Sequence, residues 1–171
     1  MTNFGIELGV HIASLRRYAR SLLRGDPSEA EDLVQESLAR ALSRADQFKP
    51  GTNLRAWLFT IMHNVHVNQI RQKVSRPVEV PVEDVEQRLV SPPRQESRVE
   101  LRQMSRALDE LPEEQRQVLL LVALEGLKYD EVAEALGIPI GTVMSRLSRA
   151  REAVRVKLGA EGGGAHLRRV K

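Results

Sequence analysis

A glycine-punctuated pair of helices near the C-terminal end constrains this chain more than any other feature. Leu111-Pro112-Glu113-Glu114 opens the stretch. Proline fits a first helical position because no N–H is needed there, and the two acids lie where the helix dipole favours negative charge. Val118 to Leu124 is apolar and Gly126 closes it. Tyr129 to Leu136 then reads as a short helix, with Val132, Ala133 and Leu136 turned inward and Asp130, Glu131 and Glu134 toward water. Gly137 suits a left-handed end cap, Ile138-Pro139-Ile140-Gly141 a tight turn, and Thr142 the N-cap of a helix reaching about Leu158.

The charge is sorted between these elements. Glu96 to Gly141 holds five basic residues (Arg98, Arg102, Arg106, Arg116, Lys128) against ten acids (Glu96, Glu100, Asp109, Glu110, Glu113, Glu114, Glu125, Asp130, Glu131, Glu134). Thr142 to Leu158 reverses the balance, with Arg146, Arg149, Arg151, Arg155 and Lys157 against Glu152 alone. Its apolar stripe, Val143, Leu147, Ala150, Val154 and Leu158, leaves Ser145, Ser148, Arg149 and Glu152 on the opposite face. A solvated amphipathic helix in a bundle accounts for an arginine-rich face equally well. The succession of short helix, glycine turn and capped basic helix favours a helix-turn-helix that presents one attractive helix to DNA from a repelling body.

The 171 residues suit one ordinary domain or two small ones, and half of the eight prolines (Pro77, Pro81, Pro92, Pro93) gather in one stretch that reads as a linker. The absence of cysteine removes disulfides, thiol catalysis and cysteine-bound metal clusters. There is no apolar run long enough to span a membrane, and Met1-Thr2-Asn3-Phe4 lacks a signal-peptide pattern, so a cytoplasmic location is expected.

Leu8 to Leu23 reads as a first helix, with Val10, Ile12, Leu15, Ala19, Leu22 and Leu23 inside, broken at Gly25-Asp26-Pro27. Ser28 is expected to start the second through a capping box with Glu31, burying Ala30, Leu33, Val34, Leu38, Ala41, Leu42 and Ala45. That leaves Glu29, Asp32, Gln35, Glu36 and Arg40 outside, a pattern that helix-start acids and an i,i+4 pair explain without any partner. Asp46 to Asn53, with Phe48, Lys49, Pro50 and Gly51, reads as a loop. Leu54 to about Val74 is a helix with Leu54, Leu58, Ile61 and Val65 on one line and Trp57, Asn64, Asn68 and Arg71 on another. From Leu54 to Arg76 the only charges are Arg55, Arg71, Lys73 and Arg76. Cations, amides and an indole on an acid-free helix beside an aromatic-bearing loop suit single-stranded DNA. Trp57 is more often a core anchor than a DNA contact, and His63 with His66 lacks a third ligand, so no metal site is expected.

Two motif sets carry a resemblance to a known family. Tyr129-Asp130-Glu131-Val132-Ala133 with Gly141-Thr142-Val143-Met144-Ser145-Arg146-Leu147 and Arg149-Ala150-Arg151 resembles region 4 of an extracytoplasmic-function (ECF) sigma factor of the sigma-70 family, which reads the −35 promoter element. Ala30-Glu31-Asp32-Leu33-Val34-Gln35-Glu36-Ser37, Phe48, Leu54-Arg55-Ala56-Trp57-Leu58 and Asn64 are similar to region 2 of that family. The resemblance implies polymerase contacts at Asp32, Leu33, Gln35 and Glu36, −10 element contacts at Phe48, Asn64, Asn68 and Arg71, and −35 element contacts at Thr142, Ser145, Arg146, Ser148, Arg149 and Arg151. The implied partners are core RNA polymerase, through its β′ clamp helices and β flap, promoter DNA, and an anti-sigma factor, with no membrane insertion.

The expected fold is all-α: a region 2-like domain over 1–74, a linker over 75–95, a helix-turn-helix domain over 96–158 whose first helix buries Val99, Leu101, Met104, Ala107, Leu108 and Leu111, and a flexible tail over 159–171. No nucleophile–base pair, phosphate loop or metal cluster is present, so neither an enzyme nor a cofactor or small-molecule substrate is expected. Two rivals remain at this point: a sigma-like decoy that titrates an anti-sigma factor, and a plain helix-turn-helix activator, which leaves the first seventy or so residues without a role. Met144 stands where the family often has Arg or Lys, a loss of about 1–3 kcal/mol in contact energy to DNA.

Overall fold

Seven helices carry the fold of this computed structural model, which describes residues 2–24, 26–75 and 95–161. In the N-terminal half, α1 (Thr2–Leu22), α2 (Pro27–Ser43) and α3 (Leu54–Ser75) pack as α1 on α2 and α2 on α3. In the C-terminal half, α4 (Gln95–Asp109), α5 (Glu113–Leu119), α6 (Tyr129–Leu136) and α7 (Ile140–Glu161) gather around α7. No strand occurs among the described residues. The linker and tail expected from sequence lie, but for a few end residues, outside them.

Helix phase decides which apolar side chains are buried. In α1 the inward line is Leu8, Leu15, Tyr18, Ala19 and Leu22, all buried. Val10, expected inside, is 75% exposed. At 100° per residue it falls about 200° from Leu8. Leu42 in α2 is exposed for the same reason, and Ser37 takes an inner position, its hydroxyl donating to the Leu33 carbonyl at 2.6 Å. On α3, the buried line Leu58, Ile61 and Val65 is joined by Phe59, Met62 and His66.

Two helix starts differ from the sequence expectation. Asp26, not Ser28, caps α2: its carboxylate accepts from the Ser28 and Glu29 N–H groups at 3.0 and 3.1 Å, and Pro27 occupies the first turn rather than acting as a breaker. Helix α7 begins at Ile140, so Thr142 lies inside its first turn and its N–H donates to the Pro139 carbonyl at 2.9 Å instead of capping. Gly137 adopts the expected left-handed cap at φ 65°, with α6 ending at Leu136. In α4, only Ala107 and the following Leu111 are buried, whereas Val99, Leu101 and Met104 are exposed. Val99 and Leu101 lie on the N-terminal half of a helix that packs chiefly on α7, and Met104, past its middle, lines an open groove with Leu108 and Leu124, so this apolar line finds no core to enter.

Helix α5 does not stop at Leu119 but widens into a π turn over Leu120–Leu124, with the Glu125 N–H donating to the Leu120 carbonyl at 3.0 Å. A π turn stacks residues five apart, so Glu125 follows Leu120 onto the side that packs against α1. Gly126 then reverses the chain at φ 66°.

The two halves share one core. Leu33, Phe59 and Met62 belong to the same buried cluster as Val118, Leu121 and Val132, with α1 packed on the π turn and α3 on α6. Phe59, buried and edge-on to Tyr18 at a centroid separation of 5.1 Å, stands within this cluster. Replacing Phe59 with Ala is expected to cost about 3–5 kcal/mol in a urea titration, and a change under about 1 kcal/mol would contradict the packing.

Candidate nucleic-acid interface

Helix α7 keeps its two faces apart. Val143, Leu147 and Ala150 are buried against α5 and α6, so Ser145, Ser148, Arg149 and Arg151 are exposed by the helical period. Among the described residues, Arg149 and Arg151 have no acidic partner, whereas Arg155 is held by Glu152 and Lys157 by Glu110. Arg146 is drawn back toward the body: its side chain is 23% exposed and reaches Glu114 at 3.3 Å. Thr142 is half-buried and Met144, with an apolar side chain, is 49% exposed on the outward side. Ser145, Ser148, Arg149 and Arg151 thus form one open polar surface, with Arg146 at its edge.

On α2, Asp32 and Gln35 are exposed and Glu36 is half-buried. Leu33, placed beside them by the resemblance, is 0% exposed and is a core residue, because the inward line of α2 runs through Ala30, Leu33, Val34, Ser37 and Ala41. Glu36 is already engaged within the fold, accepting from Arg40 at 2.7 Å and from the Gln69 amide of α3 at 2.9 Å.

The α3 face begins at the loop after α2. Asn53 caps α3 through its side-chain oxygen, which accepts from the Ala56 N–H at 3.2 Å. Phe48 and Trp57 are half-buried and 5.3 Å apart by ring centroids, and Phe4 of α1 joins them at 5.8 and 6.2 Å. Asn64 and Arg71 are exposed further along the helix, and Asn68 is half-buried between them. The structure therefore brings Phe48 and Trp57 together at one end of α3 and leaves Asn64 and Arg71 on its outer surface. His66 is buried and tied to Glu113 of α5 at 2.6 Å.

Sequence reasoning missed the charged cluster between the halves. The Glu125 side chain is fully buried. It receives Arg17 through both oxygens at 3.0 and 2.9 Å, Arg55 at 2.7 Å, and the Ser14 hydroxyl. Burial pushes the Glu125 carboxyl up, but the hydrogen bonds from Arg17, Ser14 and Arg55 outweigh it and hold the group below its ordinary range. The available signal was Glu125 itself, one acid embedded in the apolar run from Val118 to Leu127. Close by, Glu131 of α6 accepts from the Asn53 amide at 2.6 Å with one oxygen and from the Lys128 N–H at 2.9 Å with the other.

Comparison with known proteins adds to this geometry. Residues 101–154 match the family described as Sigma-70, region 4, and residues 8–63 match the one described as the Sigma2 domain of PhyR. The chain is 41% identical over 151 residues to the ECF RNA polymerase sigma factor EcfG of Rhodopseudomonas palustris (strain TIE-1), covering 88% of this chain and 82% of that protein. Among solved structures, the sigma factor RpoE in complex with the anti-sigma factor NepR from Bartonella quintana aligns over 95% of this chain and 100% of its own, with 33% identity and a TM-score of 0.74. CnrH in complex with the cytosolic domain of CnrY aligns over 93% of this chain and 89% of its own, with 28% identity and a TM-score of 0.67.

The depressed Glu125 carboxyl sets a pH dependence. Its contribution to stability is complete above the ordinary value of 4.5 and is lost as pH falls below it through the lower folded value. Between about pH 6 and about pH 3, the urea midpoint of the wild-type chain is expected to fall further than that of Glu125→Gln. Equal falls would remove Glu125 as the titrating group.

Proposed function

Because the chain belongs to the ECF sigma factors of the sigma-70 family, we propose that α7 reads the −35 element, the Phe48 loop with the outer face of α3 takes the −10 strand, and α2 docks core RNA polymerase. As a member of that family it is an alternative sigma factor acting in transcription initiation, and it is not an enzyme. The observation that carries the −35 assignment is the open α7 surface, where Arg149 and Arg151 stand exposed, without acidic partners among the described residues, opposite a buried apolar stripe. A recognition helix needs that separation, since the stripe fixes its pose and the free guanidinium groups meet phosphate oxygens or the acceptors of guanine. Ser145 and Ser148 add neutral hydrogen-bonding groups on the same surface, and Met144 adds an apolar side chain suited to a thymine methyl.

For the −10 strand, the aromatic pair Phe48 and Trp57 supplies a stacking surface, and Asn64, Asn68 and Arg71 supply amide and cationic groups along the helix. Two chemistries divide the polymerase between them. Asp32, Gln35 and Glu36 give α2 an acidic, amide-bearing face for the β′ clamp helices, where arginines form charge-assisted hydrogen bonds to carboxylates. The groove lined by Met104, Leu108, Leu120, Leu124, Val154 and Leu158, about 380 Å³ in volume, is assigned to the β flap. It opens on the other side of α7 from Arg149, and Arg151 stands at its rim, between the flap groove and the duplex surface. Leu33 has no place in the polymerase face, being wholly inside.

An anti-sigma protein completes the partner set, by analogy with the relatives captured with NepR and CnrY. Among the described residues no helix is long and apolar enough to cross a membrane, and the cytoplasm, where core polymerase works, is the proposed location. The decoy reading is disfavoured by Arg149 and Arg151, exposed and without an acidic partner among the described residues, and by the exposed Asn64, which a protein that only titrates a partner has no need to keep on its surface.

Arg149→Ala is expected to weaken binding of the reconstituted holoenzyme to its promoters about five- to tenfold, read as lost protection upstream of the start site. Unchanged footprints would remove α7 from the interface. Asp32→Arg is expected to reduce capture of core polymerase at least about tenfold in co-purification, since it sets a cation against the cationic clamp helix. Full recovery of polymerase on the variant would return the acids of α2 to a purely solvated role.

A further inference from the structure

The basic helix α7 does not begin basic. From Ile140 to Ser145 it carries no charged side chain, and the two large side chains left outside are apolar: Ile140 is 46% exposed and Met144 49%. They stand four residues apart, so they are neighbours on the helix surface and form one apolar strip. From Met144 a shallow cleft of about 460 Å³ continues past Tyr129 of α6, Ser148 and Arg151. Arg146, the nearest cation in the chain, is turned toward Glu114 at 3.3 Å, and Arg155 is held by Glu152 at 2.6 Å. Arg149 lies about 140° round the helix from Met144, and Arg151 about 10 Å further along its axis. The strip is continuous with the polar surface formed by Ser145, Ser148, Arg149 and Arg151, so a duplex held by those cations also covers Ile140 and Met144.

The leading turns of a recognition helix are the part that meets base edges in the major groove. Guanine offers two acceptors there, which call for a cation or an amide, whereas the apolar group displayed in that groove is the C5 methyl of thymine. A thioether and a branched alkyl chain donate no hydrogen bond, and they gain free energy by removing a methyl group from water. We propose that Ile140 and Met144 are specificity-determining residues that select thymine in the −35 element by its methyl group. Base choice at this end of the element is then set by apolar contact and not by hydrogen bonds to guanine. This deepens the assignment of α7 to the −35 duplex and rests on it. Arg149 and Arg151 keep their places on the rest of the surface, which lets the two contributions be separated.

Uracil pairs as thymine does and lacks only the methyl, so deoxyuridine isolates the contact. Promoter fragments found by run-off transcription with the reconstituted holoenzyme are amplified with deoxyuridine replacing a fraction of the thymidine, then incubated with holoenzyme. Bound and free fragments are separated, cut at uracil and compared position by position on both strands. Within the segment protected upstream of the start site, uracil at one or two thymine positions is expected to be depleted about three- to fourfold from the bound fraction, the effect of one buried methyl. Ile140→Ala with Met144→Ala is expected to abolish that depletion, and Met144→Leu, which keeps an apolar side chain, to retain it. Both side chains are exposed and alanine and leucine are strong helix formers, so α7 persists in these variants. Uracil tolerated throughout the protected segment, or a depletion that survives in the double alanine variant, overturns the proposal. Arg149→Ala tells its failure from that of the underlying assignment. Upstream protection that depends on Arg149 while uracil is tolerated throughout removes the methyl reading alone. Protection indifferent to Arg149 takes α7 off the duplex, and both readings fall together.

Discussion

One carboxylate with no exposed surface decides how the two halves of this molecule sit together. Glu125 is held by Arg17, Arg55 and Ser14, which come from α1 and α3, so a single side chain from the C-terminal half bonds two helices of the N-terminal half. A buried carboxylate without partners is strongly unfavourable, and the two guanidinium groups with a hydroxyl satisfy its oxygens. The net gain is modest, because both arginines also lose hydration. The specificity is large, since only one placement of the halves brings all three donors to one acid. The apolar cluster running from Leu33 and Phe59 to Leu121 and Val132 supplies the attraction, and Glu125 fixes the register.

The π turn makes that possible. A regular helix through Leu124 would carry Glu125 round with the 3.6-residue period. Widening over Leu120–Leu124 keeps Leu120 and Leu121 in the core while bringing Glu125 onto the α1 side. The same geometry brings α6 against α3, and with it Glu131 onto Asn53. A local irregularity of the backbone thus goes with both the packing of the halves and the contact of α6 with the residue that opens α3. The α7 surface is left out of this arrangement, with Arg149 and Arg151 facing solvent.

Much of this was legible in the residues. The seven helices follow from apolar spacing, and the helix-turn-helix from Gly137, the Pro139 turn and the charge reversal after Gly141. The errors share one origin. Val10, Leu42 and the α4 residues Val99, Leu101 and Met104 are apolar but exposed, because composition marks a residue as able to be buried while only a neighbouring element buries it. Leu33 was read two ways, buried by the spacing of α2 and a polymerase contact by the resemblance, and the structure follows the spacing. Asp26 and Ser28 are both good capping residues, and Pro27, best tolerated in the first turn, settles which of them serves.

The sequence by itself determined the helices, the segregation of charge on α7 and the family, since each rests on residues close together in the chain and on spacings that repeat every three or four positions. Only the tertiary structure decided that the halves close on one another through Glu125, that Glu131 takes the Asn53 amide, and that His66 pairs with Glu113. Those bonds join residues from 47 to 111 positions apart. No local period reports such a pairing, because the energy that selects it appears only when whole faces, each folded on its own terms, are brought into contact.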